Sequence, residues 1–222
     1  MPGYLPNETG YCILDDGTLY VSSLSKFPGC TPEMFQWWMW WHSAESERYA
    51  LWHPHCHCSV RATDQKVLND NSLSHEEKLI GNKHIITEYL EGKKNDITIE
   101  FIDPKSAGID TSKFAEAGIK AHACGWVNLQ KPNARFALMV HLARGTDEGF
   151  ELRSRYYIGY KIQLNFLGWK IKIPEKLKKI VLRIEKVNLK TAYFQAVHDQ
   201  LEFTRLARIL KGLYTDFCEN KS

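Results

Sequence analysis

The stretch LKTAYFQAVHDQLEFTRLARILKGLYTDFC, residues 189–218, predicts one long helix near the end of the chain. Apolar residues recur in it at intervals of three and four, which is typical of a helix that buries one face. We expect Asp199, Arg205, Arg208 and Lys211 to face water. The residues expected to form the buried stripe are Ala192, Phe194, Val197, Leu201, Leu206, Ile209, Leu210 and Leu213.

Two polar residues of this helix, His198 and Glu202, are candidate metal ligands. Their spacing of four residues places them on one helix face, about 6 Å apart along the axis. At the edge of an apolar stripe they point inward, where an unpaired carboxylate is costly and a bound cation would remove that cost. The same spacing also occurs in ordinary surface pairs, and a zinc site needs three or four ligands. The remaining ligands must come from elsewhere in the chain.

A length of 222 residues fits one large domain or two small ones, and the sequence shows no internal repeat, low-complexity tract or linker, so we expect a single domain spanning residues 1–222. A hydrophobic content of 44% and a charged content of 25% are those of a globular protein. The net charge of +3 with dispersed Lys and Arg argues against nucleic-acid binding. No apolar run reaches membrane-spanning length, and no signal peptide is recognised. The six cysteines form no CxxC motif, so we expect reduced thiols in a cytoplasmic protein.

A second helix is predicted from about Pro32 to Tyr49, with Thr31 as its capping residue. The run MFQWWMWW, residues 34–41, is apolar on almost every side, so this helix should be buried. His42 ends the aromatic run. It is either a core histidine bonded to a backbone carbonyl or a metal ligand walled by aromatic rings, and the residues alone leave both interpretations open.

The cluster WHPHCHC, residues 52–58, carries three histidines and two cysteines. In an extended strand the histidines would share one face and the cysteines the other. Adjacent ligands of this kind seldom converge on one ion, because structural zinc sites space their ligands by two to four residues and pair them across two elements. We therefore expect an incidental loop that binds metal only weakly, if at all.

Strand patterns fill the middle of the chain. Residues 84–90 predict a strand with His84, Ile86 and Glu88 on one face, which points either to the core or to solvent. Alternating apolar residues then predict a strand at 97–101, and further strands follow at 121–129, 135–143 and 150–161. Hairpin turns join them, and the C-terminal helix closes the chain. The pattern indicates an α+β fold in which an antiparallel sheet wraps over that helix.

Several motifs together resemble the 2,4-diacetylphloroglucinol hydrolase family, which includes phloretin hydrolases. The resemblance implies a helix-grip fold, like that of START and pollen-allergen proteins, in which a curved antiparallel sheet grips a long C-terminal helix over an apolar cavity. It also implies zinc as cofactor. The motifs that carry the resemblance are GYCILDDGTLYVSS (10–23), PGCTPEMFQWWMWWH (28–42), RYALWHP (48–54), SLSHEEKLIGNKHIITEYLEG (72–92), ELRSRYYIGY (151–160) and HDQLEF (198–203).

Transferred to this chain, the resemblance implies a zinc ion held by two histidines and two glutamates. These are His42, Glu88, His198 and Glu202. The same glutamates are candidate catalytic bases, and His84 and His141 are candidate acid–base groups facing the cavity. Candidate substrate contacts are Tyr157, with Tyr156 as the alternative if the alignment slips by one, Glu45 where a relative has asparagine, and Trp41 of the aromatic wall.

The implied reaction is hydrolysis of the carbon–carbon bond between a polyhydroxylated aromatic ring and its acyl group. Zinc would polarise the acyl carbonyl and activate water. The expected partner is a small aromatic ketone. Homodimer formation stays open, because this chain is expected to lack the family's larger N-terminal region, which contributes to dimer contacts. Two other hypotheses stay open: a non-catalytic carrier of an apolar aromatic ligand, and a zinc ester hydrolase.

Overall fold

The computed structural model describes residues 4–90 and 92–219. Its strands are β1 (Gly10–Ile13), β2 (Leu19–Pro28), β3 (His57–Ala62), β4 (Lys83–Leu90), β5 (Lys93–Ile102), β6 (Ile119–Leu129), β7 (Ala134–Thr146), β8 (Gly149–Phe166) and β9 (Trp169–Lys172). These nine strands of the described residues form one sheet, in which every pairing is antiparallel. The order is β1-β2-β8-β7-β6-β5-β4-β3, and β9 pairs with β8.

Seven α-helices accompany the sheet in the same described residues. The last of them begins after Asn188, whose side chain accepts a hydrogen bond from the Lys190 backbone amide. None of the described helices is both long and apolar enough to cross a membrane. Their bounds are α1 (Pro32–Trp41), α2 (Ser46–Trp52), α3 (Gln65–Asn69), α4 (His75–Leu79), α5 (Phe114–Ala117), α6 (Glu175–Ile184) and α7 (Leu189–Phe217).

The sheet curves around α7. This helix packs against β1 and β2 near one edge of the sheet and against β4 near the other, while α1 and α2 contact it as well. Its side chains Phe203, Leu206 and Leu210 are fully buried. The predicted α+β, helix-grip architecture is therefore confirmed, and the predicted C-terminal helix agrees with the observed one to within one residue.

The buried face of α7 differs in detail from the predicted stripe. Leu201, expected inside, is 55% exposed, whereas Phe203 is fully buried. Asp199, expected to face water, is also fully buried. Because the sheet and the two N-terminal helices enclose α7 from different sides, the buried arc is wider than one apolar stripe, and it includes polar residues that a hydrophobicity pattern assigns to solvent.

The predicted helix from Pro32 to Tyr49 is interrupted. Helix α1 ends at Trp41, a 3₁₀ turn covers His42–Ala44, and α2 follows after an extended Glu45. The imidazole of His42 bonds the Trp38 carbonyl, and the Ser43 hydroxyl donates to the Trp40 carbonyl. Such side-chain bonds to the last carbonyls of a helix compete with the helical ladder. As predicted, α1 itself is buried on nearly all sides.

Candidate active site

A cavity of about 610 Å³ lies between the concave face of the sheet and α7. Most of its wall is apolar, with polar side chains gathered at a few points. At one end it is lined by exposed charged residues, which define its mouth: Lys93, Lys94, Glu185, Lys186 and Lys190.

Four nitrogen and oxygen donors converge on the wall of this cavity. His57 Nε2 lies 3.4 Å from His198 Nε2 and 3.4 Å from Glu202 Oε2. His198 Nε2 lies 3.5 Å from Glu202 Oε2 and 4.0 Å from Glu88 Oε2. All four residues line the cavity. Three of the predicted ligands are thus brought together, and the fourth donor is His57 rather than His42.

These separations fit a tetrahedral metal site. Ligand atoms that each lie 2.0–2.1 Å from one zinc ion, at tetrahedral angles, are about 3.3 Å from one another. A tetrahedron has six such edges, and the three among His57, His198 and Glu202 are within 0.2 Å of that length. Glu88 is farther out, 4.0 Å from His198 Nε2 and within 4.8 Å of the His57 donor atom, so it would have to move closer to bind the same ion. Two imidazoles and two carboxylates are also a donor set that zinc accepts. The residues present therefore fit the implied metal.

The expectation that residues 52–58 form an incidental loop is wrong. A turn at 54–56 breaks the assumed strand, and β3 begins at His57. There His57 pairs in register with Glu88 of β4, so one side chain from each strand enters the cavity. The His57 Nδ1 atom lies 3.2 Å from the Tyr49 carbonyl oxygen, which can only accept. Nδ1 therefore carries the proton, and Nε2 presents its lone pair to the other donors.

Tyr49 and Asn95 hold Glu88 in place. The Tyr49 hydroxyl donates to Glu88 Oε2 at 3.3 Å, and the Asn95 amide donates to Oε1 at 3.1 Å. The Tyr49 ring also stacks on His57, with centroids 3.9 Å apart and planes 4° from parallel. Tyr49 therefore orients one carboxylate donor, Glu88, and one imidazole donor, His57. This role was not predicted from the sequence.

Burial sets the protonation of the cluster. The pKa of Glu202 is raised well above its usual value, first by burial and then by the neighbouring Asp199 and Glu88 carboxylates, although His198 opposes the shift. Burial lowers the pKa of His57 to about 4. Without a cation, the site therefore disfavours both the carboxylate charge and the imidazolium charge. A divalent cation would stabilise the carboxylates and use the imidazole lone pairs.

A second group of donors, formed by His53, Cys56 and His198, is a weaker candidate. Burial and the nearby carboxylates raise the pKa of the Cys56 thiol, which opposes the thiolate that a metal requires. Neither His53 nor Cys56 lines the cavity. His53 instead stacks on the His198 ring at 5.0 Å and fixes its plane.

Three further residues of the predicted site lie outside the donor cluster. His42 lines the cavity but is not among the converging donors, because its ring is drawn back onto the Trp38 carbonyl at 2.8 Å. Glu45 lies on the surface, where it pairs with Arg48 at 2.6 Å. Trp41 is core rather than cavity wall, stacked on Trp37 with centroids 4.7 Å apart.

The tyrosine that enters the cavity is Tyr156, not Tyr157. Side chains alternate along β8, so Tyr157 packs on the outer face of the sheet against Tyr20 and Tyr160. The Tyr156 hydroxyl donates to Asp199 Oδ1 at 2.7 Å, and it lies 3.5 Å from Nε2 of the cavity-lining His141.

Buried neutral histidines should make stability depend on pH. Burial lowers the pKa of His42 and of His141 to about 3. Below pH 6.5 the unfolded chain therefore binds protons that the folded chain refuses, and stability falls as pH decreases. At pH 5 each such histidine costs about 2 kcal/mol. Denaturant unfolding of metal-free protein at pH 7.5 and 5.0 should show this loss, and equal stabilities would contradict it.

Comparison with known proteins agrees with the motifs. The chain is 38% identical over 221 residues to a 2,4-diacetylphloroglucinol hydrolase of Pseudomonas protegens, covering 97% of this chain and 70% of that protein. It is 29% identical over 211 residues to a phloretin hydrolase of Eubacterium ramulus, covering 93% of this chain and 71% of that protein.

The solved structures to which the chain is similar are distant from it in sequence. The crystal structure of Ara h 8.0201 has a TM-score of 0.39 and 10% identity, covering 82% of this chain and 99% of that one. The norcoclaurine synthase of Thalictrum flavum, in complex with dopamine and hydroxybenzaldehyde, has a TM-score of 0.42 and 9% identity, covering 92% and 97%.

A family model described as the DAPG hydrolase PhiG domain matches residues 1–215, nearly the whole chain. The match agrees with the family that the sequence motifs indicated. The chain therefore belongs to the 2,4-diacetylphloroglucinol (DAPG) hydrolase family.

Proposed function

We propose that this chain is a zinc-dependent hydrolase that cleaves the carbon–carbon bond between a polyhydroxylated aromatic ring and its acyl group. The observation that carries the proposal is the convergence of two imidazoles and two carboxylates on the wall of a largely apolar cavity. The relatives named for 2,4-diacetylphloroglucinol and for phloretin support an acylphloroglucinol type of substrate.

His57, Glu88, His198 and Glu202 would hold the metal. Zinc bound there would supply Lewis-acid polarisation of the acyl carbonyl and activation of water. The apolar walls around it, among them Trp52, Ile86 and Met139, would exclude bulk water and receive the aromatic ring.

Glu202 is the better candidate for the proton-transfer group. Glu88 is held by hydrogen bonds from Tyr49 and Asn95, whereas the polar contacts of Glu202 within the described residues are to the two imidazoles. In the proposed reaction, water adds to the acyl carbon and gives a proton to Glu202. The bond to the ring then breaks, and its electron pair stays on the ring carbon. That carbon takes the proton, so the products are the deacylated phenol and a carboxylic acid.

Ortho hydroxyls on the ring are essential to this chemistry. They allow a keto tautomer in which the ring carbon leaves like the enolate of a β-diketone. We assign Tyr156 the role first given to Tyr157, that of binding a substrate oxygen, because its hydroxyl is the one on the cavity wall. Asp199 accepts the hydrogen bond that fixes the orientation of this hydroxyl.

The two adjacent tyrosines provide a matched test. Tyr156→Phe is expected to lower kcat by about ten-fold, because the Tyr156 hydroxyl, which donates its proton to Asp199, can accept one hydrogen bond from a hydroxyl of the substrate. Tyr157→Phe should leave kcat close to that of the wild type, since this ring packs on the outer face of the sheet. Steady-state kinetics of both variants measures the contrast. Equal losses in the two variants would refute the assignment.

The activity itself is tested by product analysis. Purified protein would be incubated with phloretin, monoacetylphloroglucinol, acetophenone and simple aryl esters, before and after chelation and after zinc is restored. We expect cleavage of the first two ketones only, abolished by the chelator and recovered with zinc. Turnover of esters alone would indicate an ester hydrolase. A protein that binds the ligands, turns none of them over and contains no stoichiometric metal would be a carrier.

A further inference from the structure

The cavity extends beyond the metal-binding residues, away from its mouth. Along β4 the lining residues run from Leu90, near the mouth, through Glu88 and Ile86 to His84. Glu88 and His84 are four positions apart on this strand, so their Cα atoms lie about 13 Å from each other. His84 therefore lies at the deep end, on the far side of Glu88 from the entrance.

His84 is a buried polar side chain without a partner. Its relative exposure is 0%, and neither ring nitrogen makes a hydrogen bond within the part of the chain that the structure describes. Its ring stands edge-on to Phe101 at 4.6 Å and to His42 at 5.5 Å. Burial lowers its pKa well below the usual value, so the ring is neutral, with one donor and one acceptor. Buried polar groups of this kind almost always have partners.

His42 adds a lone pair at the same place. Its Nδ1 faces the Trp38 carbonyl oxygen, which can only accept, so Nδ1 carries the proton. Its Nε2 is then an acceptor, and this nitrogen makes no hydrogen bond to other described residues. Both rings line the cavity, and together they carry one donor and two acceptors that have no partner among the described residues.

We propose that His42 and His84 form a subsite that binds a hydroxyl group of the aromatic ligand. A hydroxyl is the group that fits, because it donates one hydrogen bond and accepts another. A carbonyl or carboxylate oxygen only accepts, so it would leave the His42 lone pair unmatched. A methyl group would leave every polar atom of the subsite unpaired. The proposal rests on the proposed function for the ligand class, hydroxylated aryl ketones, but not on catalysis.

Two ligands of equal size test the subsite: 4-hydroxyacetophenone and 4-methylacetophenone. Neither has an ortho hydroxyl, so neither is cleaved in the proposed mechanism, and binding is measured without turnover by quenching of tryptophan fluorescence. Wild-type protein should bind the hydroxyl ketone about ten-fold more tightly than the methyl ketone, since unpaired buried polar groups penalise the methyl analogue. His84→Phe, which keeps an aromatic ring against Phe101, should abolish or reverse this preference.

His84→Gln is the matched control, because an amide restores one donor and one acceptor. It should recover part of the preference for the hydroxyl ketone. If the histidine variants fail to fold, the test is made on the wild type by NMR. The chemical shifts of the His84 ring nitrogens should change when the hydroxyl ketone is added and should not change when the methyl ketone is added. Equal binding of the two ketones by the wild type, or an unchanged preference in His84→Phe, would overturn the subsite. A protein that keeps the preference but cleaves no aryl ketone would refute the proposed function alone.

Discussion

His57→Ala is expected to remove the bound metal and to lower turnover of phloretin by about a thousand-fold or more, because a Lewis-acid metal supplies several kcal/mol of transition-state stabilisation. Three donors would remain, but the two carboxylates would have lost an imidazole that lies 3.4 Å from Glu202. The fold should survive, since His57 is the first residue of β3 and the strand pairing does not depend on its side chain. Elemental analysis and steady-state kinetics measure the two losses together.

His42→Ala is the informative control. This histidine shares the cavity but bonds the Trp38 carbonyl instead of joining the donor cluster. We expect His42→Ala to retain stoichiometric metal, whatever it costs in stability. Loss of metal from His42→Ala with retention by His57→Ala would show that the ligand set implied by the sequence resemblance was right and that the one inferred from the geometry is wrong.

Phe203→Ala is expected to destabilise the protein by about 3–5 kcal/mol, the usual cost of truncating a fully buried phenylalanine. The ring contacts aromatic rings of four other elements, β2, α1, α2 and β7. Its centroid lies 5.2 Å from His141, 5.3 Å from Trp52 and 6.3 Å from Phe27. Denaturant unfolding of the metal-free protein measures the loss, free of any stabilisation by the bound ion.

Leu201→Ala tests the same prediction from the opposite face of α7. This leucine lies two residues away and is 55% exposed, so its truncation should change stability by about 0.5 kcal/mol or less. If Leu201→Ala were as destabilising as Phe203→Ala, the orientation of the helix against the sheet would have to be different.

The fold was predictable because its main elements carry strong local signals. In the helix that begins after Asn188, apolar residues recur with helical periodicity over many turns. In the strands around His141, apolar residues either alternate with polar ones or form continuous runs, and turns bound these strands. The orientation of α7 was less predictable. Burial of Asp199 depends on Tyr156, which is 43 residues away in the sequence, so no local pattern reveals it.

The site was predictable in part for similar reasons. His198 and Glu202 are paired by helix geometry, and Glu88 shares a strand face with Ile86. His57 was missed because three alternating histidines look alike in sequence. The turn at 54–56 and the pairing with Glu88 select one of them, and pairing is a property of the sheet. A strand start after the His-Pro turn was the one available signal.

A one-residue error explains the other misassignment on a strand. Tyr156 and Tyr157 are adjacent, so a shift of one position exchanges the cavity for the outer face of the sheet. The resemblance to the family favoured Tyr157 and left Tyr156 as the alternative, and only the three-dimensional register distinguishes them. Here Tyr156 is fixed by its bond to Asp199, and Tyr157 by its packing on Tyr20.

Anomalous diffraction at the zinc edge from crystals of the purified protein tests the central claim most directly. We predict one strong peak per chain on the cavity wall, within about 2.0–2.2 Å of His57 Nε2, His198 Nε2 and one oxygen each of Glu88 and Glu202. A peak bound instead by His42, or by His53 and Cys56, would contradict the proposed metal site. A fully ordered cluster without any peak, in protein that is active on acylphloroglucinols, would contradict the zinc-dependent mechanism.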